Sequence, residues 1–166
     1  HKISGAFLSA MTAKKEIRRE YLAIVAGKPE ESGTIDLPIA RKDGSTIERC
    51  IDMDHGEHAV THYRCLDYRD DLGWSDGKHA VTHWKVLKRY GYVTLVECRL
   101  ETGRTHQIRV HMKAIGHPLL GDFLYNPDYR FIGRQALHSY TVAFRHPITG
   151  EAMEFSAPMS GDFSFF

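Results

Sequence analysis

The sequence predicts an α+β domain built on a mixed, largely antiparallel sheet with flanking helices. Two observations support this prediction. Short β-type runs recur along the chain, and turn residues such as Gly, Pro and Asp follow several of them. Helical periodicity is limited to two segments, one at the start of the chain and one after residue 104.

The first half of the chain is predicted to contain one helix and two strands before its middle. Residues 1–19 roughly follow the 3.6-residue period of an amphipathic helix. Residues 21–25 form a β-type run that ends at a Gly-Lys-Pro turn. A second strand is expected over residues 34–39, before a Lys-Asp-Gly-Ser turn. The polar face of the helix carries Lys14, Lys15, Arg18 and Arg19.

The second half is predicted to alternate strands and turns around one helix. Residues 93–100 alternate well enough for a strand, and residues 105–115 have helical periodicity. Thr105 is positioned to cap that helix, and Gly116 is a natural stop. Two further strands are expected over residues 136–144 and 153–156, separated by a turn.

The middle of the chain holds an internal repeat. Residues 56–66 and 77–87 share seven of eleven positions, including the string HAVTH in both copies. A solenoid needs about three units. We therefore interpret the repeat as a local tandem duplication of one strand and its turn.

Length and charge limit the classes of protein that this sequence can represent. The chain has 166 residues, which is about one domain, and a formal net charge of +1. Its 42% hydrophobic and 26% charged residues exclude a disordered chain. The balanced charge also excludes a highly basic nucleic-acid coat, but it permits RNA binding through a local basic patch.

The cysteine pattern and the hydropathy indicate a reduced, cytoplasmic protein without a membrane segment. Cys50, Cys65 and Cys98 are odd in number and form no CxxC motif, which argues against a disulfide framework and a cysteine-based zinc site. The start of the chain lacks the pattern of a signal peptide. The longest apolar stretch, residues 21–27, is far shorter than the ~20 residues that span a bilayer.

A metal site has to be considered because the chain has eleven histidines. His58 and His62 are four residues apart, as are His79 and His83. The surrounding Ala-Val-Thr pattern favours a strand, on which such residues lie roughly 13 Å apart at ~3.3 Å per residue. Two histidines at that separation cannot share one ion, so no metal is expected.

The densest polar cluster is the run 102–111, TGRTHQIRVH, at the predicted strand-to-helix junction. Backbone N–H groups at a helix start attract anions, and two arginines add bidentate recognition of phosphate or carboxylate. A solvated helix start with a good cap explains the same residues. Likewise, Tyr21 is either a core residue or an aromatic face for stacking a base, and the basic helix face is either solvated or in contact with phosphates.

Several motifs together resemble the RluA-type pseudouridine synthases. Residues 100–111, LETGRTHQIRVH, resemble the signature of that family. Residues 19–27 resemble its K-x-Y-x-A-x-V-x-G strand, and residues 76–83 resemble the segment before the signature. Residues 115–125, 136–138 and 144–147 resemble later landmarks, so the resemblance covers nearly the whole chain.

The resemblance implies an RNA-modifying enzyme. Such enzymes isomerise uridine in RNA, for example rRNA or tRNA, to pseudouridine. The C1′–N1 bond breaks, the uracil turns, and C5 joins C1′, so no cofactor is needed. The uridine is expected to flip out of its stack into the active site. RNA is the implied partner, and the oligomeric state is left open.

The family's nucleophile is an aspartate in an H-R-L-D-x-x-T-S-G motif that this sequence lacks. We therefore expect residues 1–166 to be a single but incomplete catalytic domain, without the N-terminal part that carries the nucleophile and inactive alone. The nearest string, residues 64–67, lacks the flanking His and the T-S-G. Asp67 is accordingly expected in a loop and not as the nucleophile.

Roles for individual residues follow from the resemblance. Arg104 would pair with the catalytic carboxylate, and Tyr21 would stack on the flipped base and help to remove its C5 proton. Ile108 and Leu137 would form an apolar wall. His106, Gln107 and Arg109 would orient Arg104 or touch phosphate. The other candidates for RNA contact are Thr105, Lys14, Lys15, Arg18 and Arg19.

Two questions remain open at this level. The second repeat copy runs directly into the predicted strand 93–100, so we expect it to occupy the family's strand position and the first copy to form an added edge strand or hairpin.

The alternatives to a synthase are a non-catalytic RNA-binding module that lacks the nucleophile and a histidine-based metalloenzyme.

Overall fold

The computed structural model describes residues 17–69, 93–146, 148–159 and 161–163. Most of the predicted first helix, with Lys14 and Lys15, and the second repeat copy lie outside the described residues. The described strands are β1 (Arg18–Ala26), β2 (Ser32–Asp36), β3 (Ile39–Arg41), β4 (Arg49–Ile51), β5 (Val60–Arg69), β6 (Val93–Leu100), β7 (Leu137–Arg145) and β8 (Ala152–Ser156). The α-helix α1 spans Gln107–Ala114, and a 3-10 turn spans Gly161–Phe163.

Six strands form one sheet in the order β2-β5-β6-β1-β7-β8, and β3 and β4 form a separate hairpin. Every strand pair in the described part of the chain is antiparallel. The predicted α+β class and antiparallel sheet are thus confirmed. The only α-helix among the described residues is too short to cross a membrane.

The two faces of the central strands are both buried. In β1, Leu22 and Ile24 face one apolar cluster, which includes Phe163, while Ala23 and Val25 face another, which includes Met112 of α1. A strand covered on both faces reads as a continuous apolar run, because side chains alternate between faces. The Leu-Ala-Ile-Val run of β1 therefore places this strand at the centre of the domain.

The structure corrects three predicted boundaries. Arg18 and Arg19 begin β1 and are not part of a helix. The strand expected over residues 34–39 is divided into β2 and β3, with Pro38, which has no N–H to donate, between them. Thr105 does not cap α1, since the helix begins at Gln107 and His106 holds the N-cap position.

The repeat expectation is also corrected. The first copy supplies β5, which lies inside the sheet between β2 and β6. Its Val60 and Thr61 are buried, so this copy is part of the domain interior and does not form an added edge. Asp67 lies within β5, paired with Leu95, and not in a loop.

Candidate active site

The turn between β6 and α1 holds Arg104 at three points. Its backbone N–H donates to the side-chain oxygen of Gln107 at 2.9 Å. Its Nε donates to the carbonyl oxygen of His58 at 3.0 Å, and its Nη1 pairs with the Glu57 carboxylate. The side chain remains 36% exposed. Arg104 is therefore fixed in position yet accessible to a ligand.

Gln107 joins this turn to β5. Its Oε1 accepts hydrogen bonds from the Thr102 hydroxyl at 2.8 Å and from the Arg104 N–H, while its Nε2 donates to Val60 O at 2.8 Å and to Thr61 Oγ1 at 3.1 Å. All hydrogen-bonding capacity of the amide is thus used. The residue is only 2% exposed, and its bond to the Arg104 N–H holds the turn in place.

His106 has a left-handed backbone conformation, with φ of 58°. A non-glycine residue in this region costs about 1–3 kcal/mol and is typical of functional sites. Its Nδ1 lies 3.0 Å from the Tyr125 hydroxyl, which also accepts a hydrogen bond from Arg49 N–H at 2.8 Å. Burial lowers the pKa of His106, and the nearby Arg109 charge lowers it further. The imidazole is therefore neutral at pH 7 and joins α1 to the hairpin.

Arg109, predicted to orient Arg104 or to touch phosphate, is buried and paired in the structure. Its Nε and Nη2 donate to the two carboxylate oxygens of Asp122 at 2.7 and 2.6 Å. The guanidinium also lies over the rings of Phe123 and Tyr125, 5.2 and 4.9 Å from their centroids. With Arg109 6% and Asp122 0% exposed, this buried pair joins α1 to the segment that follows it.

Three predicted site residues come together at one apolar cluster. Tyr21 of β1 and Leu137 of β7 pack against the cluster that contains Ile108 of α1. The register between β1 and β7 shifts between Glu20 and Tyr21. Such a bulge re-aims a side chain and is common beside active sites. All three side chains thus border one apolar cluster, and their roles as an apolar wall and a stacking platform stay predictions.

Tyr21 and Arg104 lie at the same end of the sheet. Tyr21 is near the start of β1, where Arg19 pairs with Leu100, the last residue of β6. The chain leaves β6 there and reaches Arg104 four residues later. An aromatic group and a guanidinium thus border one end of the two central strands.

An open groove of about 420 Å³ adjoins Arg104. One wall is the Gly103–Thr105 turn, and the other is the β3–β4 hairpin. Its lining residues are Ile39, Ala40, Arg41, Arg49, His55, Glu57, Gly103, Arg104 and Thr105. The groove is large enough for part of a polar ligand, such as a phosphate with its sugar.

Three further residues were predicted to contact RNA, and one of them lines this groove. Arg18 is exposed and pairs with Glu154 at 2.7 Å and Glu20 at 3.3 Å, so its charge is compensated. Arg19 is half-buried at the start of β1. Thr105 is exposed and lines the groove, as its predicted RNA contact requires.

The described histidines of the repeat serve as hydrogen-bonding groups. His62 lies on β5 between Thr34 Oγ1, at 2.8 Å, and Glu101 Oε1, at 2.7 Å, and His58 lies 3.4 Å from Asp36. Residue 62 on a strand agrees with the predicted local structure. Within the described ranges, no three His, Cys, Asp or Glu side chains lie close enough to hold a metal ion.

Comparison with known proteins decides the family. The sequence profile described as RNA pseudouridylate synthase matches residues 2–114. The chain belongs to this family. It is 41% identical over 165 residues to an uncharacterised RNA pseudouridine synthase of Bacillus subtilis, YjbO, covering 99% of this chain and 50% of that protein. It is 40% identical to ribosomal large subunit pseudouridine synthase D of Zymomonas mobilis, covering 95% of this chain and 46% of that protein.

Solved structures of the family share the fold. Human RNA pseudouridylate synthase domain containing 1 superposes with a TM-score of 0.73 at 23% identity, covering 94% of this chain and 60% of that one. Human RNA pseudouridylate synthase domain containing 4 gives 0.63 at 18% identity, over 98% of this chain and 65% of that one. The chain spans about half the length of the relatives whose sequences it matches.

Sequence reasoning missed Glu57, Arg41 and Arg49 as residues of this site. A signal for the two arginines was present, because the Lys-Asp-Gly-Ser turn indicates a hairpin and they flank its loop. No such signal exists for Glu57. Its ion pair with Arg104 depends on the packing of β5 beside the signature turn, and the two residues are 47 positions apart in the sequence.

Proposed function

We propose that this chain is the part of an RNA pseudouridine synthase that binds the target uridine and orients the catalytic carboxylate. The observation that carries the proposal is Arg104. It is anchored through its backbone and Nε, but among the described residues its Nη1 pairs only with the carboxylate of an exposed glutamate, Glu57. A carboxylate nucleophile offered from outside this chain can replace Glu57 as its partner.

The nucleophile has to come from outside this chain, because the family's aspartate motif is absent from its 166 residues. An arginine beside such a carboxylate favours its ionised form and fixes its direction. A carboxylate so held attacks the flipped nucleoside or pairs with the cationic sugar that forms when the C1′–N1 bond breaks.

Tyr21 and the apolar wall provide the second half of the proposal. The Tyr21 ring stacks on the displaced uracil, and Ile108 and Leu137 exclude water from it. Because the uracil stays bound after the glycosidic bond breaks, it can turn and present C5 to C1′. The tyrosine hydroxyl then helps to take the C5 proton. The reaction adds and removes no other group, so it needs no cofactor.

We further propose ribosomal RNA as the first substrate to test. Relatives from four genera, at 36–40% identity, are named ribosomal large subunit pseudouridine synthase D. A cytoplasmic, reducing location agrees with the free thiols of Cys50, Cys65 and Cys98.

The decisive experiment is tritium release from RNA labelled at uridine C5, with large-subunit rRNA and tRNA compared. We expect release by the longer gene product that includes the upstream coding sequence and none by this chain alone. Release by the isolated chain would contradict an external nucleophile. A folded longer protein that binds RNA without releasing tritium would support the non-catalytic module instead.

Arg104→Met in the longer protein tests the central role. We expect tritium release to fall to background, with unchanged circular dichroism, because methionine cannot pair with the catalytic carboxylate. Arg64→Met is the matched control, since Arg64 also pairs with a glutamate, Glu97, but on the exposed side of β5. It should keep full activity. Normal turnover by Arg104→Met would remove Arg104 from the mechanism.

A further inference from the structure

The β3–β4 hairpin places two arginines directly opposite each other. Arg41 and Arg49 are register partners, so their side chains leave the same face of the hairpin. On that face, the next pair along the strands is Ile39 and Ile51, which pack into an apolar cluster with Val110. Like charges in direct cross-strand register repel and destabilise a hairpin. Packing explains the isoleucine pair, but not the arginine pair.

Neither of these two arginines forms an ion pair with a carboxylate among the described residues. The Arg41 Nη1 donates to the backbone oxygen of Thr46 at 2.6 Å, and the Arg49 guanidinium forms neither a hydrogen bond nor an ion pair within the described ranges. The one glutamate of the hairpin loop, Glu48, pairs with Lys42 at 3.0 Å. Within the described part of the chain, the hairpin therefore holds two arginines in cross-strand register without an ion pair to either.

Both arginines line the groove beside Arg104. Glu57 is the single carboxylate among the lining residues, and it pairs with Arg104. Three guanidinium groups thus surround a space that contains one carboxylate. The excess positive charge attracts an anion, and planar guanidinium groups suit the oxygens of a phosphate.

The hairpin is held rigidly against the body of the domain. Arg49 N–H donates to the Tyr125 hydroxyl at 2.8 Å. Ile39 and Glu57 exchange two backbone hydrogen bonds of 2.9 Å, and Asp52 N–H donates to Pro38 O at 3.1 Å. The hairpin backbone that carries the two arginines is therefore fixed before a ligand arrives, which lowers the entropic cost of binding.

We propose that the groove between the β3–β4 hairpin and the Gly103–Thr105 turn is a phosphate subsite for RNA. Arg41 and Arg49 clamp a phosphodiester next to the target uridine, and the bound anion converts their repulsion into attraction. The choice of an RNA phosphodiester rests on the proposed function, because the same groove borders Arg104, the residue proposed to orient the catalytic carboxylate. Phosphate contacts of this kind position the RNA and carry no sequence information.

The test measures RNA affinity against salt concentration for the longer gene product, with a fluorescein-labelled uridine-containing stem–loop as the probe. We expect R41Q/R49Q to weaken binding roughly tenfold or more at low salt. The slope of log Kobs against log salt should fall by about 0.7–0.9 for each phosphate that the variant no longer neutralises. At saturating RNA, tritium release should keep its kcat while its KM rises.

Arg145→Gln is the matched control. Like Arg41, Arg145 is exposed and its Nη1 donates to a backbone oxygen five residues later, that of Gly150 at 3.1 Å, but it lies on β7 at the other side of the sheet. R145Q should leave both affinity and salt slope unchanged. In addition, R49Q should melt at or above the wild-type temperature without RNA, since it removes a repulsion. A structural arginine would give a lower melting temperature.

The outcomes separate this inference from the proposed function. Wild-type affinity and salt slope in R41Q/R49Q, with turnover intact in the parent protein, would overturn the subsite and leave the function standing. Weaker and less salt-dependent RNA binding by the double variant supports the subsite even when the parent releases no tritium. The absence of tritium release from the parent would refute the proposed catalysis and not the subsite. An equal loss in R145Q would also overturn the subsite, because it would show a general effect of charge.

Discussion

Replacing Asp122 by Asn tests whether the buried ion pair behind the signature helix holds the site together. The carboxylate is fully buried and accepts two hydrogen bonds from Arg109, at 2.7 and 2.6 Å, and two backbone hydrogen bonds from Leu124 and Tyr125, both at 3.1 Å. The asparagine oxygen keeps the backbone bonds. Its NH₂ group, however, faces the guanidinium, so Arg109 stays buried without a counter-ion.

The expected loss follows from that geometry. Breaking a buried pair by removing one charge costs about 3–5 kcal/mol, a large part of the ~5–15 kcal/mol that stabilises a typical domain. Asp128→Asn is the matched control, because Asp128 also forms a bidentate pair, with Arg130, but at the exposed surface. Its loss should be about 0–1 kcal/mol.

Urea unfolding followed by circular dichroism measures both variants. If D122N is too unstable for a baseline, the double variant R109M/D122N keeps the reasoning testable. Methionine removes the unpaired charge and still packs between Phe123 and Tyr125, so the double variant should regain much of the stability. Equal losses in D122N and D128N, or no recovery in R109M/D122N, would refute a dominant role for the buried charge.

Three further predictions concern protonation, backbone and chemistry. Burial lowers the pKa of His111 below its ordinary 6.5, so the unfolded chain binds more protons in acid than the folded chain does. His111 should therefore contribute its full stabilisation above pH ~6.5. That stabilisation should be lost as the pH falls through the folded pKa, by at most about 1.4 kcal/mol per pH unit. Urea titrations from neutral to acid should show this slope reduced in H111Q but not in H55Q, whose exposed imidazole is the control. G121A should lower the free energy of unfolding by several kcal/mol more than G116A. Both glycines have positive φ, but of the two only Gly121 would place a Cβ against the carbonyl oxygens of Ile132 and Arg134. Equal losses in the two variants would contradict that steric argument. In the longer protein, Y21F should lower kcat for tritium release with little change in KM. Y63F, whose tyrosine lies on the neighbouring strand pair, should leave kcat unchanged. An unchanged kcat in Y21F would leave Tyr21 a stacking role only.

The neutral His111 also takes part in a chain of hydrogen bonds that holds the turn of Arg104. Its Nε2 lies 2.8 Å from Leu37 O, which can only accept, so that nitrogen carries the proton. Its Nδ1 then accepts from the Thr61 hydroxyl at 2.9 Å, and Thr61 in turn accepts from Gln107. This chain of hydrogen bonds connects the β2–β3 connection to the turn that presents Arg104.

The signature carried most of what sequence reasoning could predict about the site. A strand followed by polar residues and a helix requires a turn, and the structure places Arg104 in that turn. The pattern could not separate residues that face a ligand from residues that hold the turn. Gln107 and Arg109 are polar in the sequence, yet both are buried and bonded within the protein, and only their tertiary partners reveal this.

The sequence by itself determined the antiparallel α+β class, most strand positions and the family, because apolar periodicity, turn residues and the signature are local properties of the chain. The tertiary structure decided that the first repeat copy lies inside the sheet, since strand pairing depends on partners distant in the chain. It also brought Arg41 and Arg49 beside Arg104. Electrostatic repulsion between such groups exists only once the hairpin register and the groove have formed, and no local pattern contains that information.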